Sequence, residues 1–494
     1  MGRIPCTVSG PAAQSLKSTE RLKTRDFLAI EALLSTMSSY RRNNDLLNLM
    51  TRRSKANGNL INTFTEYEES VRIGEAIQTS FNQLCRDILQ ENGIVINDTG
   101  EVTDHTSLDP ITEGIHRPVF QLNTEEELPD DAPRQLRELH DFVAEHNSKH
   151  AKPTQIHGLH TFEDPGRTVY ISVDDVLVHK QNRKVVYKNG QECVKSTEEW
   201  IYHSVAYIEV SSYVGNGADR KLETKVYMLE ASTQAQAYSN VLAFLLYNSL
   251  TDYYLVFFAD GEETLKTIPN QIFSNWPHVV YMDYYHLEER MKETFSRAFK
   301  PGKIIDDSVS PEYFKNGKVK KSSVQKITRS KYYLRLLISM LWSGNVNHAK
   351  EWLNSMKTSN ELKPGGESII ESALQYLNRK EDRFPCYILR AKLKLRNTSN
   401  SVEIANNILV ARRQKKNGTA WCNLGSFACS ESTCIFINEE SENYFRKKII
   451  HFTPRKKAED NGYSSGLSWL HNEDIRISLS DEKYSIELLR AHVA

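Results

Sequence analysis

The N-terminal part of the chain carries apolar residues at helical spacing. Two stretches, residues 24–50 and 67–90, repeat apolar positions three and four residues apart, which predicts helices. Residues 153–166 are rich in proline, glycine and aspartate, which is typical of a domain boundary. We therefore expect a mainly helical N-terminal region over residues 1–160.

From residue 168 the pattern changes to that of β-strands. The run 169–173 is compact and rich in β-branched residues, and it ends in Asp174 and Asp175. Residues 200–214 and 222–229 form two more strand-like runs. Three strands in succession predict a meander.

Strands then alternate with helices. A helix-like stretch covers residues 234–250, and residues 253–258 form a buried type of strand that leads into Asp260. A predicted helix follows, and then a strand over residues 279–282 that ends in Asp283. A meander followed by strand–helix–strand units is the order expected of a ribonuclease H-like α/β sheet with helices on its faces.

Beyond His286 the pattern is almost wholly helical. A basic loop over residues 300–329 and the segment 363–366 interrupt it, and the chain after residue 453 is polar. The expected fold class is α/β: a ribonuclease H-like mixed sheet with flanking helices, a large helical insertion and a helical N-terminal region. The expected segments are the N-terminal region (1–160), the first part of the core (165–299), the insertion (300–395), the final part of the core (396–452) and a polar C-terminal tail (453–494).

Composition argues against a disordered chain and against a membrane-spanning one. The 494 residues are 39% apolar and 26% charged, which is enough apolar material for several packed units. No window approaches the roughly 18 uncharged apolar residues that a membrane helix needs. The first residues lack the apolar core of a signal peptide. We therefore expect a cytoplasmic protein that does not enter a membrane.

The cysteines do not indicate a disulfide framework or a metal site. There are seven, an odd number spread over a long chain, which is ordinary usage for a reducing compartment. Cys422, Cys429 and Cys434 include no Cys-x-x-Cys pair and have no histidine at ligand spacing. This spacing disfavours a zinc site.

The formal net charge of zero hides an uneven distribution. Residues 301–460 contain 29 Lys and Arg against 16 Asp and Glu, an excess of 13 positive charges, and the remainder of the chain balances it. Such an excess favours contact with a polyanion, but a set of solvated helix faces has the same composition. The charge alone leaves both interpretations open.

Two aspartates follow predicted strands immediately before turns. In open α/β sheets the carboxyl ends of strands line the ligand crevice, so Asp174 and Asp260 are expected to converge. Like charges that meet need a cation between them, and Mg²⁺ or Mn²⁺ suits carboxylate oxygens. Aspartate before a turn is also a common turn residue, so each position taken alone has a structural explanation.

Short motifs around these aspartates carry a resemblance. They resemble, in order, the catalytic core of insertion-sequence transposases related to the Mutator-like group, over roughly residues 165–450. The motif at 283–287 is similar to the Cys/Asp-x-x-His signature that follows the second catalytic aspartate in that group. The motifs are VYISVDD (169–175), LAFLLYN (242–248), FFADG (257–261), DYYHL (283–287), FPCYILR (384–390), LRNTSNSVE (395–403) and RQKKNGTAW (413–421).

The resemblance implies a DDE transposase whose acids are Asp174, Asp260 and Glu403. Asp175 is a rival for the first acid, and Glu403 opens a predicted helix over residues 402–416. The family's chemistry is cleavage at transposon ends, followed by attack of the freed 3′-hydroxyl on target DNA. The three carboxylates would hold two Mg²⁺ or Mn²⁺ ions.

Two further residues follow from the same resemblance. Asp283 and His286 are spaced to orient the scissile phosphate or to brace the second aspartate. The other interpretation is a structural link between the strand and the helix that follows it. The chain departs from the family pattern at Val176, where glycine is common, and at Ser401 and Val402, where the sequence is usually more basic or glycine-rich.

DNA is the expected partner, together with further copies of the chain, which would be nucleoid-associated when bound. Recognition of the transposon ends is expected in the helical N-terminal region. Alternatives are a domesticated or decayed DNA-binding protein without catalysis, and a ribonuclease H-like nuclease without strand transfer. Phosphate contacts are expected from Lys315, Lys318, Lys320 and Lys321 in the basic loop and from Arg412, Arg413, Lys415 and Lys416 after Glu403.

Overall fold

The computed structural model describes most of the chain but not all of it. Lys315, Lys318, Lys320, Lys321 and Lys416, which are expected to contact DNA, lie outside the described residues. The described residues are 25–40, 42–43, 63–104, 120–181, 183–188, 191–196, 199–215, 221–260, 264–305, 326–379, 383–415 and 420–456.

The first strand among the described residues begins at Val95. They are β1 (Val95–Ile96), β2 (Val102–Asp104), β3 (Phe120–Asn123), β4 (Leu159–Phe162), β5 (Arg167–His179), β6 (Arg183–Lys188), β7 (Gln191–Ser196), β8 (Trp200–Val214), β9 (Lys221–Ala231), β10 (Tyr254–Ala259), β11 (His278–Met282), β12 (Lys303–Ile305), β13 (Lys326–Thr328) and β14 (Arg455–Lys456).

The helices are interspersed with these strands along the sequence. They are α1 (Arg25–Met37), α2 (Thr63–Glu91), α3 (Arg134–Lys149), α4 (Gln234–Tyr247), α5 (Thr264–Ile272), α6 (Tyr284–Ala298), α7 (Arg329–Trp342), α8 (Val346–Met356), α9 (Gly366–Arg379), α10 (Tyr387–Lys392), α11 (Asn400–Asn406), α12 (Arg412–Gln414), α13 (Asn423–Ile437) and α14 (Ser441–Lys447). A π-helical stretch, Asn407–Ala411, connects α11 to α12.

The chain divides into two compact units, and the candidate acids all belong to the second. The first unit is Met1–Leu84, Leu177–His203 and Ile408–Ala494, and the second is Cys85–Val176 and Ser204–Asn407. The five consecutive segments expected from the sequence stay predictions about how the chain is organised.

The largest sheet has six strands and is mixed, which confirms the α/β class. Five of its strands follow the order β11-β10-β5-β8-β9. Strand β10 is parallel to both of its neighbours, β5 and β11, whereas β8 and β9 form an antiparallel pair. Strands β5, β8 and β9 are neighbours as predicted, although the hairpin β6–β7 lies between β5 and β8 in sequence, and strands alternate with helices after them.

One strand is longer than its apolar run predicts. Strand β5 continues to His179, so Asp174 lies inside a strand, and the expectation that it ends one is wrong. After the two aspartates, the buried residues Val176 and Val178 alternate with less buried ones. This continued alternation keeps the chain extended. In contrast, Asp260 follows the last residue of β10, as expected.

Helix α4 is buried along most of its length, including its polar residues Ser239 and Asn240. Residues 237–245 are all buried, which is typical of a helix enclosed in a core. The helix begins where the hydroxyl of Thr233 accepts a hydrogen bond from the backbone of Gln236 at 3.1 Å. This cap fixes the start of α4 directly after strand β9.

Most of the described residues between β11 and Glu403 are helical. Helix α6 packs with α7, α8, α9 and α10 around a shared apolar core that includes Met291, Phe295, Leu341 and Leu353, all buried. The core therefore holds the helices of the expected insertion together. No helix in the described parts of the chain has the length and apolar composition needed to cross a lipid bilayer.

In the first unit, α2 and α13 pack closely at a glycine. A Cβ on Gly74 would lie 2.3 Å from the carbonyl oxygen of Ala428, a distance that side chains do not tolerate. The absence of a side chain at Gly74 therefore allows the backbones of the two helices to approach each other.

Candidate active site

The register of two parallel strands aligns Asp174 with Asp260. The last paired residues of β5 and β10 are Ser172 and Phe258. Asp174 follows Ser172 by two residues, and Asp260 follows Phe258 by two residues. The two aspartates are therefore at the same level, where this pairing ends.

Asp174 is partly shielded from solvent and lies near two other acids, Asp260 and Asp175. Burial, and after it the charges of Asp260 and Asp175, raise the pKa of Asp174 from 3.8 to about 6. A hydrogen bond from the backbone N–H of Asp175 and the charge of His286 act in the opposite direction. The net increase shows that this position disfavours a negative charge on Asp174 alone.

Asp174 and Asp175 have different partners because consecutive residues on a strand point to opposite faces. Asp175 accepts hydrogen bonds from Ser204 Oγ at 2.6 Å and from Gln234 Nε2 at 2.9 Å. Asp174 accepts one through Oδ2 from Asn406 Nδ2 at 2.6 Å. Asp174 therefore faces the helix that carries Glu403, which favours it over Asp175 as the first acid.

Asp283 joins two parts of the site. Its Oδ1 accepts a hydrogen bond from the backbone N–H of His286 at 3.0 Å and caps α6, and its Oδ2 accepts one from the backbone N–H of Ser399. The side chain is fully buried. Asp283 thus attaches the chain just before α11 to the end of β11, which fits the structural-link interpretation of this residue.

Glu403 lies in the first turn of α11 beside His286. The distance from Glu403 Oε1 to His286 Nε2 is 3.4 Å, and the side chains are 44% and 29% exposed. Among the described residues, no group of three or more His, Cys, Asp and Glu side chains is arranged to hold a metal ion. Asp174 is close to Asp260 and Glu403 is close to His286, but the three acids do not form one cluster.

Asn406 is a site residue that the sequence analysis missed. It follows Glu403 by three residues, so both lie on one side of α11. The spacing Glu-x-x-Asn was the available signal. The helix predicted over residues 402–416 begins earlier, at Asn400, and becomes π-helical directly after Asn406. Interruptions of this kind are frequent at functional sites.

Two arginine–glutamate pairs hold the chain that leads to α11. Arg390 donates two hydrogen bonds of 2.6 Å to Glu163, and both side chains are essentially inaccessible. Arg396 pairs with Glu209 on β8 and donates to Ser401 Oγ at 2.6 Å. Bidentate pairs of this type fix geometry as well as charge. The two pairs therefore fix the direction in which the chain enters α11.

The basic residues after Glu403 have different surroundings. Arg412 and Lys415 are exposed. Arg413 donates a 2.9 Å hydrogen bond to the carbonyl of Ser35, and its guanidinium lies over the ring of Trp421 at 4.7 Å. Arg413 thus has an internal role in the first unit, and its phosphate contact stays a prediction.

The oxygen atoms around Asp174 are suitable ligands for a hard divalent cation. They are carboxylate and amide oxygens, which are the ligands that Mg²⁺ and Mn²⁺ prefer. The amide oxygen Oδ1 of Asn406 is buried and has no hydrogen-bond partner among the described residues. A cation placed between Asp174 and Asp260 would also remove the repulsion that raises the pKa of Asp174.

Comparisons with known proteins return no relative. No protein-family model matches the chain, and no curated protein and no solved structure matches it.

Proposed function

We propose that this protein is a DDE-type transposase of an insertion sequence, with a ribonuclease H-like catalytic core. The observation that carries the proposal is the placement of Asp174 and Asp260 at one level on adjacent parallel strands. Burial and the charge of Asp260 keep the pKa of Asp174 at about 6, and neighbouring acids with a perturbed pKa are candidates for catalysis.

The strand order supports the ribonuclease H-like core. Strand β5 lies in the centre, with β8 and β9 successively on one side and β10 and β11 successively on the other. The two parallel additions follow the antiparallel pair in sequence, as the apolar pattern of the sequence predicts. The first acid lies on the central strand, the second directly after the neighbouring strand, and the third on a helix beyond the insertion.

In the proposed mechanism each acid has a defined role. Asp174, Asp260 and Glu403 would hold the metal ions. The bound Mg²⁺ or Mn²⁺ ions would activate water or the 3′-hydroxyl and stabilise the departing 3′-oxygen. His286 holds Glu403 through the 3.4 Å contact, and Asp283 keeps α11 in place. No side chain forms a covalent bond with DNA.

DNA is the proposed partner, and several copies of the chain are proposed to act together on paired ends. The exposed side chains of Arg412 and Lys415 are suited to contact phosphates. Contacts of this kind make binding salt-dependent and carry no sequence information.

The test is a cleavage and strand-transfer assay with Mg²⁺ or Mn²⁺ on DNA that carries the genomic flanks of the gene. The natural protein is compared with Asp260→Ala and with Asp141→Ala, which changes an exposed aspartate on α3. The proposal expects joined products from the natural protein and from Asp141→Ala. It expects that Asp260→Ala binds the same DNA and does not cut it.

A non-catalytic DNA-binding protein is the second candidate, because one observation favours it. Glu403 contacts His286, and in the described chain no three-residue metal group is assembled. If the natural protein and Asp260→Ala bind DNA equally and neither cuts, this second function replaces the first. Cutting without joining would instead indicate a nuclease.

A further inference from the structure

Asn406 contacts Asp174 from a buried position. It is 8% exposed, and its Nδ2 donates a 2.6 Å hydrogen bond to Asp174 Oδ2. A short bond to a carboxylate is a strong, charge-assisted one. The bond fixes which way the Asp174 carboxylate is turned.

The other end of the same amide is not used by the protein. Asn406 Oδ1 is buried and accepts no hydrogen bond from any described residue. Buried polar atoms nearly always have a partner, so an exception calls for an explanation. Because the amide group is planar and small, Oδ1 lies next to the Asp174 carboxylate.

Another asparagine near the site shows the ordinary structural case. Asn397 donates through Nδ2 to the carbonyl of Tyr387 at 2.9 Å and accepts through Oδ1 from Arg390 Nε at 3.2 Å. Both ends of that amide are satisfied within the protein. Asn406 differs because only its donor end is used.

We propose that Asn406 is the fourth side chain of the metal site: its Nδ2 positions Asp174, and its Oδ1 is a neutral oxygen ligand for the divalent cation. This inference rests on the proposed function, because it assigns a ligand to the site of that function. Helix α11 carries Glu403 and Asn406 on one side, so a single helix supplies both residues to the site.

The experiment is a calorimetric titration of the full chain with Mn²⁺ in the absence of DNA. The variants are Asn406→Ala, Asn406→Asp, Asp174→Asn and, as a matched control, Asn407→Ala, which changes the adjacent exposed asparagine. Asn406→Ala is expected to weaken Mn²⁺ binding by about 10- to 100-fold, the usual effect of losing a residue that orients a metal ligand. Asn407→Ala is expected to bind as the natural protein does.

Asn406→Asp separates a ligand from a hydrogen-bond donor. It keeps a ligand oxygen, removes the donor and preserves the side-chain volume, so we expect it to bind Mn²⁺ at least as tightly as the natural protein. If it binds as weakly as Asn406→Ala, the assignment of Oδ1 as a ligand is overturned. If Asn406→Ala unfolds, the Mn²⁺ affinity of Asn406→Asp and its melting temperature with and without Mn²⁺ decide the question.

The two proposals fail in different ways. If the natural protein binds Mn²⁺, Asp174→Asn does not and Asn406→Ala binds normally, then the role of Asn406 is refuted and the metal site stands. If the natural protein binds no Mn²⁺, the metal site of the proposed function is refuted first.

Discussion

Two acids of the second unit, the buried Glu163 and the half-buried Asp174, have opposite surroundings. Glu163 meets Arg390 in two hydrogen bonds of 2.6 Å, so its charge is compensated. Asp174 instead faces the negative charges of Asp260 and Asp175, and the burial that raises its pKa to about 6 is only partly offset by the charge of His286. Glu163 is therefore paired with an opposite charge, whereas Asp174 lies beside like charges.

This difference indicates that Glu163 stabilises the fold, whereas Asp174 is suited to bind a cation. A buried charge costs several kcal/mol unless it is paired, so a fold keeps Glu163 only with Arg390. At a site that gathers acids, hydrogen bonds offset the negative charge only in part, and a bound cation would supply the missing opposite charge. Removing the charge should therefore have opposite effects on stability at the two places.

The largest expected effect is on catalysis. Asp260→Asn should lower the rate of metal-dependent DNA cleavage by about 10⁴-fold, because metal stabilisation of the transition state contributes several kcal/mol at 1.36 kcal/mol per factor of ten. Circular dichroism should show an intact fold. An Asp260→Asn protein that cuts within tenfold of the natural rate would remove Asp260 from the site.

The next effect is on stability at the compensated pair. Glu163→Gln should lower the free energy of unfolding by about 3–5 kcal/mol, because it leaves the Arg390 guanidinium buried opposite a neutral group. Urea unfolding measures this. Glu138→Gln is the matched control, since the Glu138–Arg134 pair is exposed and contributes little. Equal effects of both variants would contradict the structural role of Glu163.

The third effect is again on stability, but here removal of the charge stabilises the protein. The pKa of Asp174 is raised in the folded state, so the ionised group destabilises the fold as the pH rises from about 4 to about 6, and the full cost is present above pH 6. Asp174→Asn should therefore stabilise the metal-free protein by about 3 kcal/mol at pH 7.5 and have little effect near pH 4. Urea unfolding at both pH values measures the difference. A loss of stability at pH 7.5 would show that Asp174 is compensated like Glu163.

The smallest effect is the pH dependence of metal binding. Because Asp174 must be ionised to bind a cation, Mn²⁺ affinity should fall about tenfold for each pH unit below 6 and change little above pH 7. Calorimetry at pH 5, 6 and 7.5 provides the values. An affinity that is constant between pH 5 and 6 would show that Asp174 does not bind the ion.

The sequence by itself determined the local elements of the core. Runs of alternating and continuous apolar residues predicted strands β8, β10 and β11 and helix α4 close to their observed bounds, because strand and helix periods are local properties. The same local pattern misjudged β5, where an alternating pair of valines follows the two aspartates. It also placed Asp260 directly after a strand, which the structure has.

Only the tertiary structure decided which residues meet. Glu163 and Arg390 are 227 residues apart, and Asn406 and Asp174 are 232 residues apart, so no local pattern relates them. The register of β5 with β10 and the docking of α11 through Asp283 and Ser399 create these contacts. The physical reason is that periodicity specifies which face of an element is buried, whereas packing of the whole unit selects the partner that each buried polar group finds.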